Sequence, residues 1–219
     1  MTLNLSKPIL YLITRGATVD TSTPASKEFH DILTQVSVAV EAGTELIQLR
    51  EKNLTARVLF ELTERAVEIT RGSSTRVLVN DRADVAAGAG ADGVHLTTRS
   101  LTADIIRKSF GDDFLIGVST HSIAEATAAR DDGANFAVFG PVFETTTKQE
   151  YGPPRGVEAL AKVCQVLSPF PILALGGISI QSTSDCLRMG ASGIAGISLF
   201  TDPTTLKQNT ATIRRNAAR

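Results

Sequence analysis

Four times along the chain a helical stretch ends on glycine and the next apolar run begins within three residues. The copies read Gly43-Thr-Glu-Leu-Ile-Gln-Leu, Gly90-Ala-Asp-Gly-Val-His-Leu, Gly133-Ala-Asn-Phe-Ala-Val-Phe and Gly190-Ala-Ser-Gly-Ile-Ala-Gly. A glycine at that place supplies the left-handed residue that closes a helix and starts a tight turn into a strand. The copies recur at 43–57 residues, long enough for two βα units each. Four copies of two units make eight, the count of a (β/α)8 TIM barrel. The expected class is therefore α/β, with residues 1–219 forming one barrel and one domain.

The apolar runs support this count. Strands are predicted over 9–14, 46–50, 77–80, 93–96, 114–119, 136–140, 171–175 and 193–197. Most are continuous apolar runs, as parallel strands covered by helices require. Helical spacing is predicted over 29–42, 56–71, 84–89, 102–110, 123–131, 157–167, 179–189 and 204–216, with Ser122 and Ser179 as N-caps. The competing architecture is an open doubly wound sheet. Its first βα turn would carry G-x-G-x-x-G, and Thr14-Arg-Gly-Ala17 does not.

Composition narrows the function classes. The 219 residues are 42% hydrophobic and 21% charged, which fits a globular domain rather than a disordered or coiled-coil chain. The net charge is −1 with both signs interspersed, so no nucleic-acid partner is expected. No run approaches the roughly 20 apolar residues of a membrane span, and 1–14 does not read as a signal peptide. With Cys164 and Cys186 alone, and three histidines, neither a disulfide framework nor a structural zinc site is expected; a reducing cytoplasm is the expected setting.

The strand ends carry the chemistry. In Gln48-Leu-Arg-Glu-Lys52, strand alternation puts Gln48, Arg50 and Lys52 on one face. A barrel interior ordinarily takes Val, Ile and Leu, so an amide with two cations calls for an anion in the mouth. The alternative is that the side chains snorkel outward. Asn80-Asp81 ends the third strand. Asp81 suits a hard cation such as Mg2+ shared with phosphate, or else caps the following helix.

Further strand ends fill out the mouth. His95 lies within the fourth strand as a core histidine or a functional one. Ser119 suits a phosphate contact, and His121 is a general acid or base or part of a helix start. Thr145, Thr147 and Lys148 follow the sixth strand and match a phosphate clamp or a polar surface loop. Gly176-Gly177 and Ile197-Ser198 end strands seven and eight, where barrels often bind phosphate through bare backbone N–H groups. The segments 16–27 and 144–155 are long for connections in a compact domain, which suggests lids or binding loops. The sum is an enzyme acting on two phosphorylated groups at one mouth.

At these residues the chain resembles the thiamine-phosphate synthase family. The marks run from Tyr11-Leu-Ile-Thr14 through Gln48-Leu-Arg-Glu-Lys52, Val79-Asn-Asp-Arg82, Ala91-Asp-Gly-Val-His-Leu96, Gly117-Val-Ser-Thr-His-Ser122, Gly140-Pro-Val-Phe-Glu-Thr-Thr-Thr-Lys148 and Gly176-Gly-Ile178 to Ile197-Ser198. The resemblance implies a barrel that joins hydroxymethylpyrimidine diphosphate to thiazole phosphate and releases diphosphate. It implies that Gln48, Arg50, Lys52, Asn80, Ser119 and Lys148 hold the pyrimidine diphosphate and that Asp81 binds Mg2+. Thr145, Thr147, Gly177, Ile197 and Ser198 would hold the thiazole phosphate. The implied reaction is dissociative: diphosphate leaves, and the thiazole nitrogen captures the pyrimidine-stabilised cation. Charge neutralisation by Arg50, Lys52 and Lys148, with Ser119 and His121 nearby, is then the catalytic need.

One departure from the family pattern bears on the metal. Where the family carries a second Mg2+-binding Asp, the run His95-Leu-Thr-Thr-Arg-Ser100 places a serine, with Arg99 beside it. Gly196 also replaces a commoner apolar residue. The departure leaves two alternatives to the synthase. One is the sister branch of thiazole tautomerases, which aromatise a thiazole carboxylate phosphate by proton transfer and need no cofactor. The other is a non-catalytic binder of thiamine precursors.

Overall fold

The computed structural model describes residues 8–145 and 153–217. Within them the repeat does what its glycines require. Gly43, Gly90, Gly133 and Gly190 all adopt positive φ, between 72° and 96°, and turn a helix end into a strand. The strands are β1 (Ile9–Ile13), β2 (Leu46–Leu49), β3 (Arg76–Asn80), β4 (Gly93–Leu96), β5 (Leu115–Thr120), β6 (Phe136–Phe139), β7 (Ile172–Ala174) and β8 (Gly193–Gly196). All pairings are parallel, in chain order, and β8 returns to β1 to close the barrel. The architecture is thus the expected single-domain (β/α)8 barrel, and each strand boundary lies within one residue of its prediction.

The third residue of each repeat has a structural task at the barrel floor. Asp92 accepts from the Val77 N–H at 2.8 Å, while its own N–H donates to the Val77 carbonyl at 2.9 Å. Asn135 does the same with Ile116, at 2.8 Å both ways. Glu45 accepts from the Leu10 N–H at 2.9 Å. Each of these side chains holds the first turn of the preceding strand to the next one. In the fourth copy Ser192 keeps only the backbone bonds, donating to Ile172 and accepting from Ile9. Glu45 is buried and also meets Arg214 at 2.7 Å, which ties the last helix to the floor.

Helices cover the outside: α1 (Lys27–Glu41), α2 (Ala56–Thr70), α3 (Ala83–Gly88), α4 (Ala103–Phe110), α5 (Ile123–Asp131), α6 (Gly156–Leu167), α7 (Thr183–Arg188), α8 (Ser198–Thr201) and α9 (Pro203–Ala217). Strand alternation sorts the core into two clusters. Outward residues such as Leu10, Leu12, Ile47, Leu49, Val77 and Val79 pack against helix residues such as Phe29, Leu62 and Phe200. Inward residues, among them Tyr11, Leu46, Leu78, Phe136, Val138 and Leu173, fill the barrel.

Two local expectations differ. Ser122 caps α5 as predicted, accepting from the Glu125 N–H. Ser179 does not cap α7: it forms a turn with Ser182, whose hydroxyl accepts from the Ser179 N–H at 3.0 Å, and the helix begins at Thr183. The short α8 was also not predicted, because four residues carry no periodicity.

Candidate active site

The inward positions turn polar at the C-terminal end of the barrel. Gln48, Asn80, His95 and Ser119, from β2 to β5, floor a cavity of about 460 Å³ in the barrel mouth, and Ile13, Leu175 and Ile197 contribute apolar wall. Gln48 is buried and donates from Nε2 to Asn80 Oδ1 at 3.0 Å. This pairing fixes both amides, so Asn80 presents its remaining N–H groups and Gln48 its carbonyl. Strand alternation beyond β2 brings Arg50 and Lys52 to the rim beside them.

The rim is cationic. Arg50, Lys52, Arg82 and Arg99 line the cavity against the carboxylates of Glu51 and Asp81. Glu51 is already committed. It is buried and accepts from the Gly16 N–H at 3.1 Å, the Thr18 N–H at 3.2 Å and the Thr18 hydroxyl at 2.7 Å. Asn53 adds a bond to the Thr18 carbonyl. These contacts pin the start of segment 16–27 beside the mouth. Arg82 is held in a two-point pair with Asp84, at 2.8 and 2.6 Å, which keeps the Asp84 carboxyl below its ordinary range.

Asp81 ends β3 in an unusual way. Its φ is +63°, the one positive value at a non-glycine among the described residues, and its N–H donates to the His95 carbonyl at 2.9 Å. Aspartate is among the few residues that tolerate this conformation. Its exposed carboxylate makes no hydrogen bond or ion pair among the described residues. A Mg2+ ion needs one or two such carboxylates when substrate phosphates complete its shell. Asp81 offers one such carboxylate. No group of three or more His, Cys, Asp or Glu gathers among the described residues to form an all-protein cage. Ser100 adds nothing to the mouth: its hydroxyl accepts from the Thr97 N–H at 2.8 Å within its own loop, and Arg99 takes the rim instead.

Of the residues singled out in the sequence, Gln48, Arg50, Lys52, Asn80, Asp81, His95, Arg99, Ser119, His121 and Ile197 line this cavity. Thr145, Gly177 and Ser198 do not. Gly177 adopts φ +65° and Gly176 φ +97°; a Cβ on Gly177 would meet the Glu144 carbonyl at 2.3 Å and one on Gly176 would meet Pro141 at 2.6 Å. These glycines admit the β6 loop, whose Phe143 N–H donates to the Gly176 carbonyl at 3.0 Å. Thr147 and Lys148 lie outside the described residues. His121 donates from Nδ1 to the Gly140 carbonyl, and its backbone N–H donates to Glu125 at 2.6 Å.

One feature escaped the sequence. His95 Nδ1 lies 3.1 Å from the Tyr11 hydroxyl and its Nε2 lies 2.9 Å from Ser119 Oγ. Tyr11 is on β1, 84 residues away, and reads as ordinary apolar filling of a strand. The only available signal was that two inward polar residues, His95 and Ser119, sit on neighbouring strands.

The thiamine monophosphate synthase family profile matches residues 10–200. The chain belongs to the thiamine monophosphate synthase family. Within it, the chain is 35% identical over 190 residues to the thiamine-phosphate synthase of Roseiflexus sp., covering 87% of this chain and 77% of that one. It is 41% identical over 160 residues to the thiamine-phosphate synthase of Chlorobium phaeovibrioides, covering 73% and 76%. Among solved structures, thiamine phosphate pyrophosphorylase from Pyrococcus furiosus superposes with a TM-score of 0.80 at 28% identity, covering 96% of each chain. The matched residues 10–200 include every strand end that lines the mouth.

Proposed function

We propose that this chain is a thiamine-phosphate synthase, which joins hydroxymethylpyrimidine diphosphate to thiazole phosphate, and that residues 1–219 work as one catalytic domain. The observation that carries the reading is the charge of the mouth: Arg50, Lys52 and Arg99 line it beside Glu51 and Asp81, while Arg82 is paired with Asp84. Such a rim suits a polyanion.

In this reading Arg50, Lys52 and Lys148 neutralise the diphosphate as the carbon–oxygen bond to the pyrimidine methylene breaks. Charge developing on the leaving group is what a preorganised cationic site stabilises most. Gln48 and Asn80 orient the pyrimidine diphosphate, and the Ser119 hydroxyl donates to it. Thr145, Thr147, Gly177, Ile197 and Ser198 hold the thiazole phosphate with its ring nitrogen facing the methylene. Asp81 would hold Mg2+, which supplies further charge neutralisation on diphosphate oxygens. His121 borders the pocket, and no nucleophilic side chain is required. The partners are small phosphorylated pyrimidines and thiazoles, and a reducing cytoplasm suits the two buried thiols, Cys164 and Cys186.

The test is direct product detection. Purified protein with both substrates and Mg2+ is expected to form thiamine phosphate and diphosphate, with product abolished by EDTA. Folded, metal-supplied protein that forms no thiamine phosphate would overturn the reading.

A further inference from the structure

The Tyr11 hydroxyl is fully buried inside the barrel among apolar neighbours, with Phe136 edge-on at 5.5 Å. Its one hydrogen-bond partner among the described residues is His95 Nδ1. A buried hydroxyl left with an unused proton loses the free energy of a hydrogen bond. The proton therefore goes to His95 Nδ1, which must then be the unprotonated nitrogen. Burial also pushes the Tyr11 phenol well above its ordinary range, so it stays a donor. The imidazole proton is left on Nε2, 2.9 Å from Ser119 Oγ. Ser119 then accepts from the ring and keeps its own O–H for the cavity.

We infer that Tyr11 and His95 are positioning residues that set the polarity of the Ser119 hydroxyl, making it an obligate hydrogen-bond donor toward an anionic oxygen in the mouth. The opposite tautomer would strand the Tyr11 proton and draw the Ser119 proton to His95 Nε2. Ser119 would then offer the cavity only a lone pair, which repels an anion. A buried phenol on β1 thus sets, through one ring, what a serine on β5 offers to the substrate. The consequence for turnover rests on the synthase reading; the tautomer does not.

Two measurements separate these. Long-range 1H–15N correlation on the substrate-free protein, with its three histidines, is expected to show His95 as the Nε2–H tautomer in the wild type and a mixture in Tyr11→Phe. A wild-type Nδ1–H tautomer would overturn the inference, whether or not the protein turns over. Kinetics supply the second arm. Ser119→Ala removes a donor to a charged group and is expected to lower kcat about 10–150-fold. Tyr11→Phe is expected to lower kcat by less, with KM for the thiazole phosphate unchanged, and to add nothing further in the Ser119→Ala background. His95→Gln, whose amide N–H can replace Nε2–H, is expected to retain more turnover than His95→Ala. Losses that multiply in the double variant would overturn the coupling. A wild type without synthase turnover would refute the functional reading, with the tautomer still deciding the inference.

Discussion

Arg214 Nη2 lies 2.7 Å from Glu45 Oε1, and the other Glu45 oxygen accepts from the Leu10 N–H at 2.9 Å. One carboxylate therefore binds the first strand and, 169 residues beyond Glu45 in the chain, the last helix. The Glu45 side chain is only 4% exposed, so losing Arg214 would strip a charge-assisted bond from a buried carboxylate. Arg214→Met is expected to destabilise the fold by about 1.5–3 kcal/mol, the range for hydrogen bonds to charged groups. A urea midpoint unchanged at constant slope would show that Glu45 finds another partner.

Lys148→Ala should remove one charge-assisted contact to the leaving diphosphate. At about 1.5–3 kcal/mol the rate is expected to fall about 10–150-fold. Steady-state kinetics with saturating thiazole phosphate check this. An unchanged rate would remove Lys148 from the site.

The metal expectation changes with the geometry. The family resemblance implied a second metal-binding Asp at the place of Ser100, whose hydroxyl is bonded to the Thr97 N–H inside its own loop. An aspartate there has that same N–H to accept. Ser100→Asp is therefore expected to leave the Mg2+ titration of activity unchanged. A tighter titration would mean that the loop opens toward the mouth.

His121 separates the synthase from a proton-transfer enzyme. General acid–base groups typically contribute about 10²–10⁴-fold. His121→Ala is expected to cost the synthase less than about 10-fold, since no proton moves in its bond-making step. A loss of about 1000-fold would point to acid–base chemistry at this site.

Both thiols should be silent in the folded protein. Burial pushes Cys164 up to about 11 and Cys186 up to about 12. The reactive thiolate is then a fraction of about one in a thousand or less at pH 8. Iodoacetamide is expected to label neither in native buffer and both in urea, with labelling followed by intact mass. Native labelling of Cys164 would mean that α6 opens locally.

The strands were legible because their signals are local. A glycine cap, a short turn and a run such as Phe136–Phe139 identify themselves within ten residues. Alternation then predicted that Gln48 and Arg50 share the mouth, and Asn80, Asp81 and Ser119 joined them as strand ends. What was not legible depends on contacts across the chain. Glu51 looked like one more charge in Gln48-Leu-Arg-Glu-Lys52, but its partners Gly16 and Thr18 lie 33–35 residues away. Gly176 and Gly177 looked like bare backbone for an anion; the structure adds a steric demand for glycine that the sequence did not show, since a Cβ would meet Pro141 or the Glu144 carbonyl. The Tyr11 hydroxyl was hidden because a tyrosine in an apolar strand usually contributes area rather than a proton.

The latches at Glu45, Asp92 and Asn135 all sit at the end of the barrel opposite the mouth. Strand alignment is therefore decided far from the substrates, by residues the chemistry never touches. The two ends are separate modules under separate constraints: the floor keeps eight strands in step, and the rim is free to be rewritten. A change in a rim side chain such as Arg99 leaves those latches untouched. An engineer could likewise graft another anion's loops onto this rim.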